Sequence, residues 1–182
     1  MKYFELKLAR QPRIPQMACT MQLGVHLGYG RLKLDKAIDA FEKAIALKSN
    51  FAEAHNNLGN SLRGLGRFDG AVKYYKQAID LKPDYYLAHN NLGLVLMGLG
   101  EINKAISCFK IVINIQEITK HYYHSYNNLG ACYQNLGEYE KAIEFFKKSV
   151  SDPLNYNDLE ICYTNIISCA KEMKSEILVK IT

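Results

Sequence analysis

Paired side-chain amides recur along the chain at a near-fixed interval. Asn56-Asn57 returns as Asn90-Asn91, 34 residues on, and as Asn127-Asn128, a further 37 residues on. Gln22 holds the corresponding place ahead of Leu23-Gly24, as Asn57 does ahead of Leu58-Gly59. A primary amide offers one acceptor and two donors on a short stem. A row of them can bond the C=O and N–H of an extended peptide whatever its side chains are. Other residues with chemistry to offer point elsewhere less well. His55 and His89 share one place in successive copies, with His121 and His124 near the next, yet a packed, hydrogen-bonded histidine accounts for them without a metal. The strings Gly28-Tyr29-Gly30, Gly64-Leu65-Gly66 and Gly98-Leu99-Gly100 follow helical patterns rather than strands and lack a Lys-Ser/Thr pair, so no nucleotide site is expected. The five cysteines (19, 108, 132, 162, 169) contain no Cys-x-x-Cys, which reads as buried free thiols in a reducing, cytoplasmic setting rather than metal ligands. No nucleophile–His–carboxylate arrangement stands out by spacing. The expectation is a chain with no catalysis, no cofactor and no metal.

The elements that must carry these amides are written in the same period. Each Asn-Leu-Gly phrase (57–59, 91–93, 128–130) is followed by a second one: Gly66-Arg67-Phe68-Asp69-Gly70-Ala71, Gly100-Glu101-Ile102-Asn103-Lys104-Ala105, Gly137-Glu138-Tyr139-Glu140-Lys141-Ala142. Between them the apolar residues Leu58, Leu62, Leu65, then Phe68, Ala71, Val72, Tyr75, Ala78, Ile79 keep three- and four-residue spacing, interrupted once at Gly66. Glycine tolerates the positive φ that ends a helix, so each copy is a helical hairpin, with Asp69 or Asn103 supporting the second start. Small residues (Gly59, Ala78, Gly93, Gly130) allow two helices to approach, and Tyr75, Phe109 and Phe146 fill the space between them. One such pair cannot bury its apolar stripe alone, so copies must stack.

The copies resemble the tetratricopeptide repeat family. In Ala52–Tyr85, Leu58, Gly59, Leu62, Ala71, Tyr75, Ala78 and Pro83 stand at the signature places, with His55 replacing the usual Trp. The next copies carry Leu92, Gly93, Leu96, Ala105, Phe109, then Leu129, Gly130, Tyr133, Ala142, Phe146, and depart at Val112 and Glu117. The resemblance is closest to arrays of the O-linked N-acetylglucosamine transferase type. It implies an all-α, right-handed superhelical solenoid of antiparallel helix pairs. The divisions are a basic leader over 1–17, a degenerate copy over 18–51, copies over 52–85, 86–122 (with a short insertion) and 123–153, and a C-terminal capping helix with tail over 154–182. In this family the first helices line a concave groove, and their second, fifth, sixth, ninth, twelfth and thirteenth places face a ligand. That assigns peptide binding to Gln22, Asn56, Asn57, Asn60, Arg63, Asn90, Asn91, Leu94, Met97, Asn127, Asn128 and Asn135, with Gln134 beside them. Rungs about 10 Å apart would meet every third residue of a chain rising about 3.3 Å per residue. Two readings of the row stay open: a backbone-gripping ladder, or consensus amides that keep a groove wet. The family's carboxylate clamp is incomplete here. Asn60 and Asn91 fit it, but Asn56, His124 and Asn128 stand where it has cations, so no acidic chaperone tail is expected to bind.

Charge narrows the partner class. The net charge is +5, and residues 1–33 carry all of it, with six basic side chains against Glu5. The remaining chain is balanced, which argues against a nucleic-acid groove along the copies. The leader reads as a solvated end, an anionic-surface contact or the remnant of an upstream helix. No apolar run has the length of a membrane span. After Pro153, Leu159, Cys162, Tyr163, Ile166, Ile167, Ala170 and Met173 mark one more amphipathic helix, a cap or the first helix of a fifth copy. The expected function is a protein-interaction scaffold holding a peptide of a partner protein. The alternatives are the recognition part of a glycosyltransferase system, or a self-associating module. Loss of the repeat-ending Pro at Glu117 and the insertion near Lys120 predict a longer or kinked joint.

Overall fold

The computed structural model describes residues 31–116, 123–150 and 159–181, and among these every element is a helix or a turn. The leader, Gln22, Gly30 and the joint around Glu117 and Lys120 lie outside the described residues. The helices are α1 (Arg31–Leu47), α2 (Ala52–Gly64), α3 (Phe68–Leu81), α4 (Tyr86–Gly98), α5 (Ile102–Gln116), α6 (Tyr123–Asn135), α7 (Tyr139–Val150) and α8 (Leu159–Ile181). The chain falls into two compact units, residues 1–81 and 82–182. Among the described residues no helix is long and apolar enough to cross a membrane.

In the first unit, α1 packs on α2, and α2 pairs with α3. The turn between α2 and α3 explains the recurring Gly66 physically. Gly66 has φ 74°, its N–H donates to Arg63 O (2.9 Å), and Arg67 N–H donates to Leu62 O (2.9 Å). These are the two bonds of a Schellman motif, and they satisfy carbonyls the helix end leaves open. Gly100 and Gly137 repeat both bonds in the second unit. Asp69 falls in the first turn of α3, where its charge favours the helix dipole, rather than at the cap position.

The two helices of a pair touch where a ring meets a glycine. A Cβ placed on Gly59 would lie 2.7 Å from the Tyr75 ring, on Gly93 2.7 Å from Phe109, and on Gly130 2.6 Å from Phe146. All three rings are fully buried. The starts of α2 and α4 carry no side-chain cap. Instead the fourth-place histidines reach back across the turn: His55 Nε2–H donates to Ser49 O and His89 Nε2–H to Pro83 O, both at 2.9 Å. A carbonyl can only accept, so this geometry fixes the Nε2–H tautomer in each. Both rings are buried.

In the second unit α4 pairs with α5 and α6 with α7, while α6 lies on α5 and, more lightly, on α4. Helix α8 repeats that placement one step on, lying on α7 and more lightly on α6. Its residues divide differently from the expected amphipathic face. Cys162 and Cys169 are buried and Ile166 and Met173 are half-buried, but Tyr163, Ile167 and Ala170 face outward. The apolar spacing is helical, as read, yet it serves two separate faces.

Candidate functional site

Helices α4 and α6 bring one pair of the amide row together. Asn128 Nδ2 donates to Asn90 Oδ1 at 3.2 Å. Their side chains border a cavity of about 300 Å³, at the lower end of ligand-pocket sizes. Tyr86, Leu87 and Leu94 of α4 and Val112 of α5 form its apolar wall, and His124 and Ser125 of α6 complete the lining. Val112 and Ser125 are buried at its base, whereas Tyr86 and Leu87 are exposed at its rim. No lysine, arginine or carboxylate lines it. By inventory, the bond between the amides uses one lone pair of Asn90 and one hydrogen of Asn128. Both Nδ2 hydrogens of Asn90 and the Oδ1 of Asn128 remain to engage a ligand.

The other expected site residues are placed variously. Leu94 lines the cavity; Asn91 and Met97 on the same helix are half-buried outside its lining, and Asn135 is exposed. In the first unit Asn60 Oδ1 accepts the Tyr75 hydroxyl at 2.8 Å. Burial pushes the Tyr75 phenol up to about 12, with the Arg63 guanidinium acting the opposite way. Asn57 and Arg63 are half-buried. Asn56 is only 3% exposed, and its Nδ2 donates to Asn57 Oδ1 at 3.5 Å. An amide so enclosed is taken up within the fold, unlike Asn90, which holds the same place in the next copy and borders the cavity. Asn127 is engaged within the fold as well: its Oδ1 accepts Cys162 Sγ–H at 3.4 Å, and that sulfur lies 3.0 Å from Ser149 Oγ. Ser149 Oγ–H in turn donates to Phe146 O at 2.9 Å. This buried relay seats α8.

Tyr86, Leu87, Val112, His124 and Ser125 were not among the expected residues. The signal for two of them was present, because Leu87 and His124 both occupy the second place of their copies. Among the described residues no group of three or more His, Cys, Asp or Glu could hold a metal ion.

The same copies match known families and folds. The family model described as TPR repeat matches residues 33–66 and 59–100, and the one described as tetratricopeptide repeat matches residues 84–151. Among curated proteins none matches. Solved structures similar to the chain include a MamA structure at 27% identity and TM-score 0.67, covering 76% of this chain and 79% of that one. Another MamA structure has 24% identity, TM-score 0.66 and coverage of 87% and 88%. YrrB, described as a TPR protein with an unusual peptide-binding site, has 18% identity, TM-score 0.70 and coverage of 91% and 80%. These likenesses carry tetratricopeptide repeats as such and nothing particular to transferase-type arrays. With hairpins closed by Schellman turns, a ring set against a glycine in each described pair, and family models spanning residues 33–151, the chain belongs to the tetratricopeptide repeat family.

Proposed function

We propose that this protein is a non-catalytic interaction scaffold that binds an extended, uncharged segment of a partner protein at the Asn90–Asn128 cavity. The observation that carries the reading is the amide pair itself. The hydrogens left on Asn90 and the oxygen left on Asn128 complement the C=O and N–H of a peptide backbone. Tyr86, Leu87, Leu94 and Val112 supply an apolar wall for a neighbouring side chain. YrrB's described peptide-binding site supports this use of the fold. The amide row's likeness to the transferase-type ladder supports it too. No lysine or arginine lines the cavity to clamp a terminal carboxylate, so the segment is bound along its length rather than by its C-terminus. The buried thiols Cys108, Cys132, Cys162 and Cys169, none in a disulfide, favour a reducing, cytoplasmic setting.

The test is capture of peptides from a library of blocked, uncharged ten-residue segments, wild type beside Asn90→Ala/Asn128→Ala, with helicity checked by circular dichroism. Two lost hydrogen bonds of about 0.5–1.5 kcal/mol each weaken binding by roughly tenfold or more. Equal capture by both proteins would remove the cavity from the binding site. A preference for acidic C-terminal tails would contradict the uncharged-segment reading.

A further inference from the structure

Among the described residues, no helix packs on the outward face of α8. Its register follows from spacing and contacts together. Ser125 and Val112 meet at the cavity base, and Cys162 and Ser149, each 37 residues later, meet as Sγ and Oγ 3.0 Å apart. The same interval carries Asn128 to Asn165, Leu129 to Ile166 and the buried Cys132 to the buried Cys169. Thus Tyr163, Ile167 and Ala170 stand where Tyr126, Gly130 and Tyr133 face their partner helix α7. Tyr163 and Ile167 are each 55% exposed, too much for a closed face.

A family-type second helix does not fit there. In the three earlier pairs a ring sits 2.6–2.7 Å from where a glycine's Cβ would be. Ile167 fills that place with a branched side chain, so close approach of an aromatic ring is blocked. What the face does carry is a five-residue stripe that repeats every seven positions: Glu160, Tyr163, Ile167, Ala170, Lys174. All five are exposed, and the stripe runs about 21 Å at 1.5 Å per residue. Its two ends bear opposite charges, equidistant from Ile167. Laid antiparallel on a copy of itself about a two-fold axis at Ile167, it brings each Glu160 to the other copy's Lys174. The apolar centre is covered at the same time.

We propose that the outward face of α8 binds a second copy of this chain, antiparallel, through Tyr163, Ile167 and Ala170, with Glu160 and Lys174 pairing across the two-fold. This surface is separate from the cavity, so either reading can fail alone. The experiment is sedimentation equilibrium on the full chain, from micromolar to several hundred micromolar. Wild type is expected to dimerise within that range. Ile167→Lys opposes two like charges at the axis and is expected to weaken the dimer about a hundredfold. Glu160→Lys and Lys174→Glu should each weaken it, and the double exchange should restore it, a rescue that loss of folding cannot imitate. Equal thermal melting of the variants checks the fold. A wild type that stays monomeric, or a dimer indifferent to Ile167→Lys, overturns the proposal and leaves the face to another kind of partner.

Discussion

Tyr75 and Asn60 show how one polar contact belongs to one copy. Tyr75 is fully buried with its hydroxyl on Asn60 Oδ1, while the next copy has Phe109 and Leu94 at the same two places. The hydroxyl and its acceptor are therefore exchangeable only together. Tyr75→Phe is expected to cost about 0.5–1.5 kcal/mol in urea unfolding, because it strips Asn60 of its partner. Tyr75→Phe/Asn60→Leu, which copies the neighbouring pair, should recover most of that. The alkaline limb gives a second check on the same side chain. With the folded phenol at about 12 against an ordinary value of 10, its contribution is complete below pH 10 and is lost as pH rises toward 12. The deficit of Tyr75→Phe relative to wild type should accordingly shrink between pH 10 and 12. A deficit that stays constant across that range would show the phenol to be unperturbed.

Within an element, glycine has three distinct meanings, and only the structure separates them. Gly93 is a close approach, Gly66 a positive φ, and Gly98 neither, with nothing within 4 Å of an added Cβ. Gly93→Ala is expected to cost about 1–3 kcal/mol by overpacking against Phe109. Gly66→Ala should cost about 1 kcal/mol from the left-handed backbone, and Gly98→Ala should be neutral or stabilising by up to about 1 kcal/mol. Denaturant midpoints of the three variants check the order, and a costly Gly98→Ala would contradict it. The helices themselves were legible from the chain. Spacing of Leu, Ala and aromatic residues gave their faces, and the glycines gave the turns between α2 and α3, α4 and α5, and α6 and α7. The role of α8 was less legible because Ile167 replaces the one residue that marks the phrase, although Asn165 and Ile166 keep its other members. The amide row was legible as a row but not as a set of partners. Asn56 and Asn127 are taken up by the fold, and Asn90 pairs with Asn128 across 38 positions. Sequence reports which face a residue occupies, but not which neighbour a short, flexible amide turns to.

At the scale of the whole molecule, each unit is organised as a succession. Among the described helices, those of residues 31–81 touch only their neighbours in sequence. Those of residues 82–182 reach no further than the next helix but one. Forming any of these contacts closes only a short stretch of chain, so little loop entropy must be lost before packing begins to compensate. Low contact order of this kind belongs to fast folders, with refolding in microseconds to milliseconds rather than seconds. Stopped-flow dilution from urea should find the main helical signal regained within a few milliseconds; a dominant phase of seconds would refute this. Because each hairpin finds its partner next to it along the chain, newly made protein can begin to bury its apolar stripe before synthesis is complete.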